Sequence, residues 1–263
     1  MIMKSAISFW GASVFAGILV SLPIGAMAAE LNVYAPGGVR SAVQGAATAF
    51  ENQTGHTIKF TFGTGGGIQR QVAAGAPADV TVLPSKGISA LEKDGLLVPN
   101  SRLEVGSVGV GVSIKAGTPR PKIGTLEDFR ETLLAAKSIT YADPARGATS
   151  GTYFATVVLP RLGIAEQMKG KTTLTAVGED AVRRVVNGES EIVIVQSSEI
   201  AAVPGAELVG PLPSSIQKTI AYAAVVLKSS NIPDVARAFV TFIDSPLGRA
   251  AFQAAGFQRT GTR

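Results

Sequence analysis

Three glycine-rich turns, each with an arginine nearby, are the features of this sequence that could do chemistry. The turns span residues 35–39, 63–67 and 147–151. Each follows a predicted strand and opens a predicted helix, so each presents backbone N–H groups and the positive end of a helix dipole. Guanidinium groups, which match carboxylates and oxyanions, lie within a few residues: Arg40, Arg70 and Arg146. Together these features predict a binding site for a small anion.

The candidate ligand-binding residues lie in these turns or close to them. They are Gly37, Gly38, Arg40, Thr64, Gly65, Gly66, Arg70, Arg146, Thr149, Ser150 and Gly151. Asp143, Tyr153 and Glu199 are candidates for a catalytic proton transfer by their position alone. The single histidine, His56, lies between a predicted helix and a strand, so we expect no Ser-His-Asp triad. Carboxylates and histidines do not cluster along the chain, and we expect no metal site.

The turns are positioned by repeated strand–turn–helix units. Residues 31–35 form a predicted strand before a helix at 41–50, and residues 57–62 form a second strand before a helix that begins at 68. A third, buried strand follows at 78–83. Consecutive units of this kind predict a doubly wound α/β sheet with ligand groups at the carboxyl ends of its strands.

Alternating elements continue along the rest of the chain. Apolar runs predict strands at 105–114, 138–142, 191–196 and 220–227. Helical spacing predicts helices at 125–136, 152–162, 181–186, 233–243 and 247–255. Thr125 has the character of an N-cap, and Pro160 marks the last turn of its helix.

The N-terminal segment predicts export. Lys4 precedes an apolar stretch at 6–20, and Ala26, Met27 and Ala28 form a small-x-small cleavage site. A membrane-spanning helix needs roughly 20 apolar residues, and polar and helix-breaking residues interrupt this shorter run. We expect residues 1–28 to be a signal peptide that is cleaved near Ala28.

Composition narrows the function classes. The 263-residue chain is long enough for two lobes that each bury a core. Cysteine is absent, which excludes disulfides, zinc–thiolate sites and cysteine nucleophiles. The net charge of +5 is spread without a long basic run, so it favours anionic ligands and not nucleic acid.

Several segments resemble the periplasmic molybdate-binding proteins, which are substrate-binding components of ABC importers with the type II periplasmic fold. The most specific is RQVAAGAPADV at 70–80, and further segments are at 33–35, 141–144 and 186–197. The resemblance covers nearly all of the mature chain. Two other segments, 159–164 and 209–213, resemble a divergent branch whose ligand is unknown.

The resemblance implies a two-lobed α/β fold in which each lobe is a doubly wound mixed sheet flanked by helices, with the ligand cleft between the lobes. Residues 29–107 plus 223–263 would form lobe 1, and residues 108–222 would form lobe 2. Hinge strands near Val108 and Ile220 would absorb the closing motion. It further implies a monomeric periplasmic protein that uses no cofactor and is read by an inner-membrane ABC permease.

The departures from that family bear on the ligand. Gly38 stands where the family has the serine of its first turn, and Thr64 followed by glycines replaces a serine-rich turn. Gln196 takes the place of a tyrosine at a strand exit. Gln196 and the next residue, Ser197, are candidate ligand-binding residues. The family holds molybdate and tungstate with neutral donors, so lost hydroxyls together with Arg40 favour a small carboxylate.

Three functions remain open at this point. The chain could be a binding protein that captures a small anion, either a carboxylate or an oxyanion, for an ABC importer. It could be an isomerase of a small polycarboxylate, because a periplasmic aconitate isomerase is similar to this family; an allylic proton shift would need a base, a proton donor and groups that stabilise negative charge. The third function is molybdate or tungstate binding.

Overall fold

The computed structural model describes residues 28–259, so the predicted signal peptide lies outside the described residues except for Ala28. The strands are β1 (Glu30–Pro36), β2 (Thr57–Gly63), β3 (Val80–Pro84), β4 (Leu103–Lys115), β5 (Ile139–Ala142), β6 (Thr172–Thr175), β7 (Ile192–Gln196), β8 (Ala206–Pro211) and β9 (Thr219–Val226). The helices are α1 (Arg40–Thr54), α2 (Gly65–Ala73), α3 (Ser85–Lys93), α4 (Leu126–Ala135), α5 (Thr149–Tyr153), α6 (Leu159–Arg161), α7 (Ala165–Lys169), α8 (Gly178–Val186), α9 (Ser197–Ala201), α10 (Pro233–Ile243) and α11 (Pro246–Ala254). A π-helical segment, Phe154–Val158, joins α5 to α6, and the 3-10 turn Gly37–Val39 leads into α1. Between residues 28 and 259, none of the helices is long and apolar enough to cross a bilayer.

The strands form two sheets that share β4. Their order is β2-β1-β3-β9-β4-β7-β5-β6, with β8 paired to β4 beside this path. β1 is parallel to β2 and β3, and β5 is parallel to β6 and β7, as β–α units require. The first half of β4 pairs with β9, and residues from Val110 onward pair with β7. This is the predicted α/β fold with two lobes and a cleft between them.

Apolar patterning explains the packing of the first lobe. β1 buries Leu31, Val33 and Ala35 in strict alternation, as a strand with one face on a core does. α1 buries a face that ends at Phe50, which packs edge-on against Phe239 of α10 at 5.3 Å between ring centroids. The C-terminal helices therefore cover the lobe that contains β1.

Three helices begin three residues earlier than predicted, and the differences matter for the site; one of them, α8, starts at Gly178 instead of 181. α2 starts at Gly65 because the side chain of Thr64 accepts a hydrogen bond from the N–H of Gly67 at 3.1 Å, which caps the helix. α5 starts at Thr149 instead of 152. The glycine-rich turns are thus partly the first turns of helices.

Asp79, the residue before β3, has a structural role. Its Oδ2 accepts a hydrogen bond from the N–H of Asn32 at 2.8 Å, and its Oδ1 accepts one from the hydroxyl of Ser230 at 2.6 Å. Asp79 is only 7% exposed, so these contacts tie β1 to the segment before α10 inside the protein.

We expect Asp79→Ala to lower the free energy of unfolding by about 2–3 kcal/mol, because it leaves two donors without an acceptor. The exposed residue Asp94 provides a control, and Asp94→Ala should change stability by less than about 0.5 kcal/mol. Urea unfolding measures both. Equal stabilities of the two variants would contradict the structural role of Asp79.

Candidate functional site

A small polar cavity of about 20 Å³ lies in the cleft between the two lobes. The loops that follow β1, β2, β5, β6 and β7 all reach it, as expected for the carboxyl ends of parallel strands. Its lining residues are Pro36, Gly37, Gly38, Gly63, Thr64, Gly65, Ala142, Ala148, Thr149, Ser150, Val177, Gly178, Gln196, Glu199 and Tyr222. A volume of this size suits about one water molecule, so a larger anion can enter only when the lobes separate.

Four helix N-termini converge on this cavity. The 3-10 turn at Gly37 leads into α1, and the first residues of α2, α5 and α8 are Gly65, Thr149 and Gly178. All four residues line the cavity. The first N–H groups of a helix lack intrahelical acceptors and carry partial positive charge. The cavity is therefore built to accept negative charge.

Gln196 provides a side-chain amide on this cavity. The hydroxyl of Tyr222 donates a hydrogen bond to Gln196 Oε1 at 2.9 Å, which orients the amide and places its Nε2 against Gly38. A Cβ at position 38 would overlap Gln196 and lie 2.7 Å from the Tyr222 hydroxyl. Gly38 is thus required by the approach of Gln196. The amide lies where a serine would have extended.

Glu199 is a buried acid in the same cavity and is 5% exposed. Its Oε2 accepts a hydrogen bond from the N–H of Gln196 at 3.2 Å, as part of a capping box at the start of α9. A Cβ at Gly37 would lie 3.2 Å from its Oε1, and one at Gly178 would overlap the carboxyl group. The two glycines leave space for this carboxyl group.

The environment of Glu199 changes its acidity. Burial raises the pKa of Glu199 to about 7, and the charge of Glu179 raises it further. The N–H groups of Gln196 and Gly178 and the positive charge of Arg40 act in the opposite direction. Burial also raises the pKa of Tyr222, so its hydroxyl stays a donor. Glu199 can therefore exchange a proton near neutral pH.

Arg40 does not line the cavity. Its Nε lies 2.9 Å from Oε1 of the buried Glu179, an ion pair whose N–H is not aligned as a hydrogen bond. Its guanidinium group stacks on Phe62 at 3.9 Å from the ring centroid. Arg40 therefore joins the start of α1 to the start of α8 across the cleft.

Other contacts also close the cleft. The Thr64 hydroxyl donates to the carbonyl of Arg146, and Arg70 Nη2 donates to the same carbonyl at 3.1 Å. The N–H of Gly66 donates to the carbonyl of Gly147 at 2.9 Å. The second and third glycine turns are thus in direct contact, which is the closed arrangement of the two lobes.

The structure brings some of the predicted residues to the cavity and places others elsewhere. Those that line it are Gly37, Gly38, Thr64, Gly65, Thr149, Ser150 and Gln196. Gly66, Arg70 and Arg146 form the contacts between turns. Gly151 packs against the carbonyl of Ala142, and Ser197 lines a separate cavity of about 250 Å³.

Of the three proton-transfer candidates, only Glu199 lines the cavity. Asp143 accepts a hydrogen bond from the N–H of Ala145 at 2.9 Å and forms its own turn. The hydroxyl of Tyr153 donates to the carbonyl of Ile216 at 2.9 Å. Across residues 28–259, acidic and histidine side chains do not assemble into a group of three that could hold a metal ion.

Sequence reasoning missed Glu179, Gly178 and Tyr222. Glu179 and Asp180 occupy the first turn of α8, and acidic residues at that position are a usual signal of a helix start. That signal would have extended the predicted helix back to the cleft. Tyr222 lies in a buried apolar strand, where neighbouring residues do not indicate a polar role.

A family comparison agrees with this geometry. Residues 31–258 match the model of the bacterial extracellular solute-binding proteins. The chain belongs to this family. Within it, the chain is 28% identical to an aconitate isomerase from Pseudomonas sp over 250 residues, which is 92% of this chain and 93% of that protein. It is 24% identical to the molybdate-binding protein ModA of Escherichia coli (strain K12) over 93% of this chain and 96% of that protein.

A solved structure supports the fold of this solute-binding protein. The periplasmic molybdate-binding protein of Azotobacter vinelandii superposes with a TM-score of 0.73 at 21% identity. The match covers 88% of this chain and 100% of that chain.

We expect Glu199→Gln to stabilise the protein at high pH but not at low pH. The folded wild type holds the Glu199 proton more tightly than the unfolded chain, so its stability falls as pH rises from about 4.3 to 7. Glutamine does not ionise, so the variant has no such loss of stability. We expect its free energy of unfolding to exceed that of wild type by on the order of 3 kcal/mol above pH 7 and by little near pH 4.

Urea unfolding across this pH range measures the difference. Glu166 is exposed and paired with Lys169 on the surface, so Glu166→Gln is the matched control and should show no comparable trend. A constant difference between Glu199→Gln and wild type at every pH would refute the buried, proton-holding state of Glu199.

Proposed function

We propose that this chain is a periplasmic solute-binding protein that captures a small anion between its lobes for an ABC-type permease of the inner membrane. The observation that carries the proposal is the convergence of four helix N-termini on one cleft cavity. Membership of the solute-binding family supports capture as the basic activity. Lobe closure would replace the water around the anion with fixed N–H donors.

The proposal includes export and two lobes. Residues 1–28 would be removed, and the mature chain would act as a periplasmic monomer without a cofactor. Lobe 1 would comprise residues 29–107 and 223–263, and lobe 2 residues 108–222. β4 pairs with β9 in its first half and with β7 beyond Val110, which supports a hinge at this strand.

We favour a carboxylate as the ligand. The Thr64 hydroxyl already donates a hydrogen bond to the backbone carbonyl of Arg146, and position 38 carries no hydroxyl. Free hydroxyl donors on the lobe 1 side of the cavity are therefore few. A carboxylate could accept hydrogen bonds from the helix N-termini and the Gln196 amide. It could also share a proton with Glu199. Arg40 would act indirectly, because it offsets the buried charge of Glu179.

A thermal-shift series should show that aconitate or citrate raises the melting temperature more than molybdate does. Ligand in hundredfold excess over Kd stabilises by about 2.7 kcal/mol, which is easily measured. A large shift with molybdate and none with either carboxylate would reject the carboxylate assignment.

Calorimetric titration of two serine variants tests where the anion binds. Ser150→Ala removes a buried hydroxyl from the cavity and should weaken binding of the active anion about fivefold to tenfold. Ser197→Ala is the matched control, since Ser197 lines the other cavity, and it should bind as wild type. Equal affinities of the two variants for the anion would show that it does not bind in the cavity that Ser150 lines.

A second function, isomerisation of a small polycarboxylate, is favoured by the position and acidity of Glu199. Its ionised form could take a proton from the carbon next to the double bond of an aconitate-like substrate. The helix N-termini and Gln196 would hold the resulting delocalised negative charge. After exchange with solvent, the Glu199 carboxyl group would return a proton to the other end of the allylic system and complete the shift, and no reactant besides water is needed.

Proton NMR of cis- and trans-aconitate in D₂O separates the two functions. Isomerase activity would interconvert the isomers with deuterium incorporation, and Glu199→Gln should then reduce kcat at least a hundredfold while binding persists. Binding of aconitate by the wild type without interconversion or exchange would exclude the isomerase and leave capture as the function.

A further inference from the structure

Two buried carboxyl groups lie at the cleft, and they differ in their partners. Glu179 Oε1 lies 2.9 Å from Arg40 Nε, and its Oε2 lies 3.5 Å from Arg183 Nη2. Glu199, among residues 28–259, makes no salt bridge and is held by the N–H of Gln196 at 3.2 Å. Glu179 is thus charge-compensated, whereas Glu199 lies in the cavity lining without an ion-pair partner of its own among the described residues.

An ionised Glu199 would oppose the binding of an anion. Its carboxyl group shares the cavity lining with Gly37, Gly65 and Gly178, where the helix N-termini would hold the ligand. Two negative charges this close, in a site shielded from water, repel each other strongly. A protonated carboxyl group has the opposite effect, since its O–H can donate a hydrogen bond to the anion.

We propose that the cleft captures its anion together with one proton, which Glu199 holds and donates as a hydrogen bond to the ligand. This inference rests on the proposed capture of an anion and specifies its chemistry: the site takes up an anion and a proton as a unit. Affinity then falls as pH rises through neutrality. Glu199 becomes the residue that makes binding sensitive to pH.

We expect Glu199, and not the charged or titratable groups that face it, to take up the proton. Glu179 faces it from α8 and is paired with two arginines. Arg40 faces it from α1, where its guanidinium group is paired with Glu179. Tyr222 approaches from β9, and its raised pKa keeps it neutral. Across the cavity, α2 and α5 present glycine and hydroxyl residues that carry no charge.

Calorimetric titration with two probes, molybdate and aconitate, tests the coupling between about pH 6 and pH 9. For the probe that binds, affinity should fall about tenfold per pH unit above pH 7. Titrations at about pH 8 in two buffers with different ionisation enthalpies should show uptake of about one proton per anion bound.

Two variants identify the proton carrier. Glu199→Gln keeps the acceptor for the Gln196 N–H and offers an amide donor that cannot ionise, so its affinity should be nearly constant from about pH 7 to pH 9. Glu166→Gln, the exposed control, should retain the tenfold fall. Unfolding midpoints without ligand verify that both variants are folded.

The outcomes separate the coupling from capture itself. If wild type binds a probe with an affinity that is independent of pH and with no proton uptake, the coupling is overturned and anion capture stands. If Glu199→Gln keeps the pH dependence of wild type, another group holds the proton and the assignment fails. If neither probe binds at any pH, capture of such anions is rejected and the coupling with it.

Discussion

The convergence of helix N-termini on one point of the cleft is the constraint on which the rest of this structure depends. It follows from parallel β–α units, because every such unit sends its chain out of the sheet at the same edge and into a helix start. Two sheets that share β4 turn these edges toward each other. The clustering of N–H groups therefore follows from the topology of the fold, and the side chains modify the cavity that these groups line.

Glycines at the cleft leave space for polar side chains from other elements. Gly38 lacks a side chain, and the Gln196 amide, oriented by Tyr222, occupies the space across the cleft. Gly178 likewise leaves space for the carboxyl group of Glu199. In both cases a glycine on one element provides the space that an amide or a carboxyl group on another element occupies.

Much of the fold was predictable from the sequence, and the reason is periodicity. Strands with buried apolar residues on one or both faces, such as β1 and β7, carry a clear local signal. Short elements such as β6 and α9 were missed because four or five residues hold too little of a period. The predicted helix starts were late at α2, α5 and α8, where glycine and threonine are both turn formers and first-turn residues.

The site was only partly predictable, because its chemistry depends on contacts between distant segments. Arg40 follows a glycine turn, which favours an anion contact, but its position is decided by Glu179, which is 139 residues later in the sequence. Glu199 has an ordinary sequence context, and its acidity comes from burial against Gly37 and Gly178. In both cases the local sequence specifies which group is present, and the closed cleft determines its partners.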